Sequence, residues 1–562
     1  MRSALSFFVA APLLLGASAQ TWCGKHYMAD LPPIPPGGQF PVPDTSNTPL
    51  LAIRCAQAVK PYLASDAPDS AAVLVNAVVT NSHINGAKPF VPSKGKDRDL
   101  RVEITAKAAG SSKQIKLAHG KVELDSNKTS IPFSLKKLQP STSPYTITCT
   151  ATVSGESFTD TSQLLYLPDP TDGTSVSKLD ARTGAILRRS GKGGQTGEFT
   201  PVFPIGYYNG FDNYLAKDIN ALDELKEQGF NIVHPIPSFG NRTALLAILD
   251  RMAELDMFLM YDFRHTYQNE TALREEVELV KNHPSLLLWY TADEPDGTSD
   301  PLNATSISRD LIMGMDGGGY HPISLVLNCG DYYFNEYATG AEIILQDAYT
   351  IGNNLSFSTE WGTECTLEYG NCGCDSCFLG FEDISLRMDQ FYERLFITGR
   401  ELETTVWSVP QGFGNESYWK RFPTGDEWVL QSILAINHGA LGVVSWSDPT
   451  SADVKTVSSK FALSLPQITP YILSSDPKRT FRGLETNRVD VGIWSGIKSL
   501  GKKSTLVLAT NMNYAEITLS WKEIGVKAGG KVREVYGGNA RVSEDGSGII
   551  LGEVGSIAVI LG

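Results

Sequence analysis

Between residues 200 and 446, short apolar runs alternate with segments of helical periodicity. In the second helical segment, Leu245, Leu249 and Met252 recur at the spacing of one helix face. We interpret the apolar runs as eight strands, at 202–207, 232–236, 258–263, 286–289, 323–327, 343–345, 405–409 and 441–446. Alternating βα units of this number, over about 250 residues, predict a (β/α)8 TIM barrel. An open doubly wound sheet is less well supported, because no glycine-rich fingerprint follows an early strand.

The barrel accounts for only part of the chain, whose 562 residues are several times the usual domain size. Short β-rich runs separated by turn residues predict an immunoglobulin-like β-sandwich before the barrel. Short strands return after about residue 475 and predict a C-terminal β-sandwich domain. We therefore expect a signal peptide at 1–19, a Pro-rich lead-in at 20–70, the first sandwich at 71–170, a bridge at 171–197, the barrel at 198–475 and the C-terminal domain at 476–562.

The start of the chain has the layout of a secretory signal. A basic residue, Arg2, precedes an apolar stretch at 5–15 and the small residues Ala17, Ser18 and Ala19. This stretch is too short to span a bilayer, and no later run is long enough. Six glycosylation sequons support the same interpretation, at Asn127, Asn241, Asn269, Asn303, Asn354 and Asn415. The sequence therefore predicts a secreted, extracellular glycoprotein with no membrane partner.

Eight cysteines form an even set, for which disulfides are expected in an oxidising compartment, with the pairings left open. The cluster Cys365, Cys372, Cys374 and Cys377 could also form a metal knuckle, but secreted chains more often use such clusters to staple a loop. The formal charge of -14 argues against nucleic acid as a partner, because binding phosphates needs a dense basic surface. We expect no metal and no cofactor, and the oligomeric state stays open.

Active sites of TIM barrels lie where the strands end, because the loops at that face build the cleft. The predicted strand ends carry carboxylates, amides and aromatic rings. Such a set suits a sugar, whose ring faces stack on aromatic rings while its hydroxyls form hydrogen bonds. The candidate catalytic residues are Glu294, Asp293 and Asp347. The candidate substrate-binding residues are Tyr207, Tyr208, His234, Arg264, Asn328, Tyr349, Trp407, Gln411 and Trp446.

One segment carries a resemblance to a known family. Asn282-His283-Pro284-Ser285, an apolar triplet, Trp289 and then Glu294 are similar to the acid/base signature of the clan A glycoside hydrolases, especially the β-galactosidase, β-glucuronidase and β-mannosidase family. That family also has a β-sandwich before its barrel, so the resemblance in architecture extends from 71 to about 450. It implies that Glu294 is the general acid/base, which protonates the leaving oxygen and then deprotonates the attacking water.

The chain departs from that family at two positions. Asp293 stands where the family has Asn before the acid/base, and Val409-Pro410-Gln411 stands where its nucleophilic Glu ends the seventh strand. Asp347, at the end of the sixth strand, could be the nucleophile or a water-activating base. Glu360 or Glu364 could fill the role if a strand is misplaced.

The adjacent pair Asp293-Glu294 also resembles that of the substrate-assisted β-N-acetylhexosaminidases. There the acetamido oxygen of the substrate is the nucleophile, the Asp orients it and the Glu is the acid. Consecutive strand residues point to opposite faces, so both side chains can reach one sugar only if the strand breaks there, which Pro295 favours. Asp293 could instead be an ion-pair partner of Arg264 or His234.

The sequence thus predicts a secreted glycoside hydrolase that cleaves β-linked glycosides or polysaccharides with retention, using Glu294 as the acid/base. The substrate-assisted scheme is one alternative. A non-catalytic carbohydrate-binding or cell-wall protein on a degenerate barrel is another, favoured by the missing glutamate of the seventh strand.

Overall fold

Eight parallel strands close into a barrel in chain order, which confirms the predicted (β/α)8 fold. The fourth strand is buried from Leu286 to Ala292, as expected when helices cover one face and the barrel interior the other. The strands are Ile205–Gly210, Ile232–Ile236, Phe258–Asp262, Leu286–Asp293, Ile323–Leu327, Ile343–Gln346, Thr405–Ser408 and Val443–Asp448.

An α-helix follows each strand. The second and third helices begin at asparagine caps, where the side chains of Asn241 and Asn269 accept the N–H of Ala244 and Ala272. Ile219 precedes the first helix and is 37% exposed. The helices are Ala221–Glu227, Arg242–Glu254, Glu270–Val280, Ala304–Met315, Phe334–Ala338, Glu382–Thr398, Gly425–Asn437 and Ala452–Ile472.

The computed structural model describes residues 21–91, 99–153, 155–171, 173–191, 196–475, 478–484, 487–497, 500, 504–527 and 530–562. The predicted signal peptide at 1–19 lies outside these residues. Among the described helices, none is both long enough and apolar enough to cross a membrane. All six sequon asparagines are described and exposed.

The first barrel strand begins at Ile205 rather than at residue 202. Val202 ends a strand of another sheet, and Pro204, which has no N–H to donate, separates the two strands. The eighth strand runs to Asp448, beyond its predicted end at residue 446. Asn209 is therefore nearer to the end of the first strand than Tyr207 is, and its Nδ2 donates to Asp448 Oδ2 at 3.1 Å.

Two four-stranded antiparallel sheets precede the barrel and share an apolar core. Thr45–Gln57 belongs to the first sheet, although the sequence places it in the Pro-rich lead-in. Its pairing register shifts between Thr45 and Leu50, around Pro49, and the strand is buried from Leu50 onward. The first sheet contains Thr45–Gln57, Ala71–Ser82, Lys88–Pro89 and Ser126–Phe133, and the second contains Asp99–Lys107, Gln114–Glu123, Tyr145–Val153 and Glu156–Leu164.

The predicted bridge also contains regular structure. Val59–Lys60, Ser177–Asp180, Ala185–Arg189 and Phe199–Val202 form a four-stranded sheet. Two-stranded pairs are Thr21–Trp22 with Lys25–His26, Tyr62–Leu63 with Tyr166–Leu167, and Phe357–Ser358 with Thr363–Glu364. Short helical turns are Leu135–Lys137, Phe211–Leu215 and Trp521–Ile524.

After the barrel, the strands pair as one six-stranded sheet rather than as two separate sheets. The long strand Gly548–Leu561 explains the difference, because it pairs with three others along its length. The strands are Lys478–Leu484, Val489–Ser495, Thr505–Asn511, Ile517–Ser520, Val532–Val542 and Gly548–Leu561.

All eight cysteines are paired, as the sequence predicts. Cys55–Cys149 joins the two N-terminal sheets, and Cys23–Cys329 ties the start of the described chain to the loop after the fifth barrel strand. The clustered cysteines pair among themselves and staple the loop after the sixth strand, as Cys365–Cys372 and Cys374–Cys377.

Candidate active site

An open cleft of about 410 Å³ lies at the C-terminal end of the barrel, within the size range of small-ligand sites. Its polar lining combines carboxylates with two amides, and the rest of the lining is mainly aromatic. The lining residues are Trp22, Tyr27, Tyr208, Asp293, Glu294, Val326, Asn328, Asp347, Tyr349, Trp361, Asn371, Gly373, Phe413, Glu416, Tyr418, Trp419 and Trp446.

The fourth strand breaks at the carboxylate pair. Its pairing with the fifth strand shifts register between Tyr290 and Asp293, and the strand ends at Asp293. Glu294 then adopts a left-handed backbone conformation, with φ of 51°. Such a conformation costs a non-glycine residue about 1 kcal/mol or more, so the surrounding loop must hold it in place. Because of this break, Asp293 and Glu294 both face the cleft.

Glu294 and Asp347 form a hydrogen-bonded pair of carboxyl groups. Asn328 joins them, because its Nδ2 donates to Glu294 Oε1 at 3.0 Å and to Asp347 Oδ1 at 3.1 Å. These three residues follow the fourth, fifth and sixth strands, so neighbouring strands deliver them to one point. Two carboxyl groups in contact cannot both be ionised without strong repulsion, so the pair holds a proton.

The surroundings place that proton on Glu294. Burial raises the pKa of Glu294 well above its usual value, and the negative charge of Asp347 raises it further. Burial also raises the pKa of Asp347, but the hydrogen bonds from Glu294 and Asn328 lower it by favouring the ionised form. The pair therefore combines a proton donor with an adjacent carboxylate.

The raised pKa of Glu294 makes stability depend on pH. Between the unfolded and folded pKa values the native state binds more protons, so the free energy of unfolding falls as pH rises through that interval. We expect Glu294→Gln to remove this fall in the free energy of unfolding, which amounts to about 1.4 kcal/mol for each unit by which the pKa of Glu294 is raised. Thermal unfolding of both proteins from about pH 5 to about pH 8 measures the difference.

Glu360→Gln is the matched control, because Glu360 is an exposed loop residue. Its unfolding curve is expected to follow the wild-type curve across the pH range. Parallel curves for wild type and Glu294→Gln would contradict the assigned proton.

A buried ion-pair chain lies beneath the cleft. Arg264 donates to Asp262 Oδ2 and to Asp293 Oδ2, each at 2.7 Å, and His234 Nε2 lies 2.7 Å from Asp262 Oδ2. Burial lowers the pKa of His234, which favours the neutral ring. Tyr290 donates to the other oxygen of Asp293 at 2.5 Å. Asp293 is thus an ion-pair partner of Arg264 that also faces the cleft.

Asp296 fixes the loop that carries Glu294. This buried carboxyl group accepts the backbone N–H of Gly297 at 2.9 Å, Asn328 at 3.2 Å and Cys329 at 2.9 Å. Burial raises the pKa of Asp296 to about 7. The bonds from Asn328 and Cys329 join the loop after the fourth strand to the end of the fifth, and so set the position of Asn328.

Of the predicted binding residues, Tyr208, Asn328, Tyr349 and Trp446 line the cleft. His234 and Arg264 lie beneath it, and the ring of His234 stacks on Tyr208 with the centroids 3.9 Å apart.

Three other predicted residues lie in buried packing positions. The Tyr207 hydroxyl contacts Ser458 Oγ at 2.8 Å, towards the helices. Trp407 is fully buried beside Gly442. Gln411 is also fully buried, and it bonds both backbone polar groups of Ile351, each at 3.0 Å.

Much of the aromatic wall was not predicted. The rings of Tyr27 and Trp361 lie 4.7 Å apart, and Trp361 Nε1 donates to the Tyr418 hydroxyl at 2.6 Å. These residues come from the N-terminal segment and from the long loops after the sixth and seventh strands. None of the three lies at the end of a barrel strand, where the sequence predicts the site. Glu360 and Glu364, which the sequence offers as alternative nucleophiles, are exposed on a short hairpin.

Comparisons with known proteins give similarities at low sequence identity. No protein-family model matches the chain, and no curated protein matches its sequence. The chain is similar to a β-glucuronidase from Ruminococcus gnavus in complex with D-glucuronic acid, with 11% identity, coverage of 72% of this chain and 61% of that one, and a TM-score of 0.32. It is also similar to a trehalose-6-phosphate hydrolase of Bacillus licheniformis, with 6% identity, coverage of 64% of this chain and 99% of that one, and a TM-score of 0.42. A third similar structure is a β-galactosidase of the psychrophilic Marinomonas ef1, with 10% identity, coverage of 49% of this chain and 61% of that one, and a TM-score of 0.36.

Identities and TM-scores at this level transfer no residue role, so the roles at this cleft rest on its own geometry.

Proposed function

We propose that the protein is a secreted glycoside hydrolase that cleaves β-linked glycosides or polysaccharides with retention. The observation that carries this proposal is the buried carboxyl pair of Glu294 and Asp347, joined by Asn328 in an open, aromatic-walled cleft. Secretion is supported by four disulfides and by six exposed sequons.

The pair fits the two roles of a retaining enzyme. Glu294 donates its proton to the glycosidic oxygen while the Asp347 carboxylate attacks the anomeric carbon and forms a glycosyl ester. The ionised Glu294 then removes a proton from water, which attacks the same carbon and releases Asp347. Asn328 keeps both carboxyl groups oriented during the two steps.

The closeness of the two carboxyl groups argues against inversion, which needs a wider separation. Retaining enzymes place them about 5 to 5.5 Å apart, whereas inverting enzymes need about 6.5 to 9.5 Å to accommodate a water molecule. One nitrogen of Asn328 bonds both groups, so the two accepting oxygens lie no further apart than two hydrogen-bond lengths. The sugar must displace the direct Glu294–Asp347 hydrogen bond when it enters.

The charge of the cleft favours a neutral or cationic sugar. Its lining includes the carboxylates of Asp293, Asp347 and Glu416 beside the protonated Glu294, and none of the described lining residues is Lys or Arg. A uronic acid would bring its carboxylate close to these groups without a cation to pair with it, and like charges repel strongly in a partly buried site.

Chromogenic β-glycosides test the proposal. We expect hydrolysis of neutral β-glycosides, and kcat/KM for the matched β-glucuronide lower by about tenfold or more, since each 1.4 kcal/mol of repulsion is a factor of ten. The anomeric form of the first product, followed by NMR, reports retention. Binding of sugars without any turnover would favour the non-catalytic alternative, and inverted product would exclude Asp347 as the nucleophile.

A substrate-assisted hexosaminidase is the second candidate. Its supporting observation is that the break in the fourth strand turns Asp293 and Glu294 towards the same cleft. Both oxygens of Asp293 are already bonded, to Arg264 and Tyr290, and a carboxylate can still accept a further bond. Turnover confined to 2-acetamido substrates would support this candidate over the first.

A further inference from the structure

The start of the described chain lies against the cleft. Thr21–Trp22 and Lys25–His26 form a two-stranded hairpin, which we call the N-terminal hairpin. It is anchored by the Cys23–Cys329 disulfide, by the Cys23 N–H, which donates to the Gly297 carbonyl at 3.1 Å, and by a buried ion pair of Lys25 with Asp375. A disulfide, a backbone bond and an ion pair together hold this segment in one place on the barrel.

One side chain of the hairpin contacts the amide that joins the carboxyl pair. Trp22 Nε1–H donates to Asn328 Oδ1 at 3.0 Å. An asparagine amide has one oxygen and one nitrogen, and an indole N–H can only donate. The bond therefore keeps the oxygen of Asn328 towards Trp22 and its nitrogen towards Glu294 and Asp347.

The loop after the fourth strand is shaped around this indole. A Cβ atom on Gly297 would lie 2.4 Å from the Trp22 ring, so only glycine leaves space for the ring there. Gly297 follows Asp296, whose carboxyl group accepts the backbone N–H of Asn328. The backbone and the side chain of Asn328 are thus fixed from two directions.

We infer that Trp22 is a positioning residue of the active site and that the N-terminal hairpin belongs to the catalytic machinery. This inference rests on the proposed function. Without the indole N–H, the Asn328 amide can rotate and present its oxygen to Glu294 and Asp347. The carboxyl pair then loses its shared donor and gains a third acceptor, so the ionised form of Asp347 is destabilised.

Trp22→Phe tests the inference, because it keeps an aromatic ring and removes the N–H. We expect kcat to fall by about tenfold, as for one lost hydrogen bond in a buried site, with KM changed by less than about threefold. We also expect the acidic limb of the pH–kcat/KM profile to move to higher pH. Trp361→Phe is the matched control, because that indole donates to Tyr418 and not to Asn328. It is expected to change KM without moving the acidic limb.

A double-mutant cycle separates positioning from general packing. If Trp22 acts through Asn328, then Trp22→Phe has no further effect on kcat once Asn328→Ala is present. Additive losses, or a Trp22→Phe enzyme with the wild-type kcat and pH profile, would overturn the inference. Thermal unfolding against pH reports the protonation of the carboxyl pair without any substrate. If Trp22→Phe shifts the pH dependence of unfolding, the hydrogen bonds from Trp22 through Asn328 to the carboxyl pair are supported even when no glycoside is hydrolysed. Absence of hydrolysis would refute the proposed function alone.

A second variant covers the case in which Trp22→Phe does not fold. Cys23→Ser with Cys329→Ser keeps both Trp22 and Asn328 but releases the hairpin, and we expect the same shift of the acidic limb. Cys55→Ser with Cys149→Ser removes a disulfide of the N-terminal sheets and is expected to lower stability without that shift. Equal pH profiles in the two double variants would contradict a role for the hairpin in catalysis.

Discussion

Glu294→Gln is expected to lower kcat/KM for a β-glycoside with a poor leaving group by about 10³-fold, within the range found for general acid catalysis. The amide cannot protonate the glycosidic oxygen, although it matches the carboxyl group in size. Substrates with a strongly activated leaving group need no proton at that step. Formation of the glycosyl ester should therefore survive with them, and the ester should accumulate as a burst of released leaving group.

The pH profile gives a second readout for this variant. The basic limb of kcat/KM reports loss of the Glu294 proton, whose pKa is raised by burial, so the limb should disappear in Glu294→Gln. Glu416→Gln is the matched control, because it changes another carboxylate of the cleft that is not part of the pair. It is expected to keep the basic limb. Near-wild-type hydrolysis of poor leaving groups by Glu294→Gln would remove Glu294 from the acid/base role.

Asp347→Ala is expected to abolish turnover with every leaving group, by about 10⁴-fold or more, as when a member of a catalytic unit is removed. No ester can form, and the space left by the side chain can admit a small anion. Azide should then restore cleavage of activated β-glycosides and give the α-glycosyl azide, because a single displacement inverts the anomeric carbon. Kinetics with and without azide, and NMR of the product, measure both effects.

The same azide experiment distinguishes the candidate mechanisms. In Glu294→Ala the glycosyl ester with Asp347 still forms, and attack by azide on it gives the β-glycosyl azide. In a substrate-assisted enzyme, Asp347→Ala would keep most of its activity on 2-acetamido substrates, because the acetamido oxygen attacks instead. If Asp347→Ala is active with that preference, Asp347 is not the nucleophile, and Asp293 orients the attacking acetamido oxygen instead.

The barrel could be predicted because its signal is local and repeated. The fourth strand, Leu286–Asp293, is a continuous apolar run ending in carboxylates, and the chain breaks where Pro295 suggests. The strand Thr45–Gln57 was missed because Pro49 and its polar first residues are typical of a loop. Its place in a sheet depends on pairing with Ala71–Ser82, which no local pattern reveals.

The site could be predicted only in part, for a related reason. Glu294, Asp293, Asn328 and Asp347 stand at strand ends, where barrel geometry makes residues distant in sequence converge. Trp22 comes from a segment more than three hundred positions before Asn328 in the chain, and a disulfide places it. Disulfide pairing cannot be derived from a single sequence, so neither could this contact.

In the proposed mechanism, Asp347 after the sixth strand takes the role that a glutamate after the seventh strand has in the family that the sequence resembles. The seventh strand ends at Ser408, and Gln411 beyond it is fully buried and bonded to the backbone of Ile351. A carboxylate there would lose the two bonds that the Gln411 amide nitrogen donates. The acidic partner of Glu294 comes instead from the sixth strand, as Asp347, which lies next to Asn328.

The Cys23–Cys329 bond also orders events during biosynthesis. Its partners are separated by 306 positions, so Cys23 emerges from the ribosome long before Cys329 exists. Cys55 and Cys149 appear in the interval, and either could capture Cys23 in a wrong pair. Correct pairing therefore requires either that Cys23 stays reduced until Cys329 is available or that a wrong disulfide is exchanged. The cleft is completed only after most of the barrel has been translated. If the protein is secreted and active as proposed, the yield of active protein should depend on disulfide isomerase capacity more than the stability of the barrel alone would suggest.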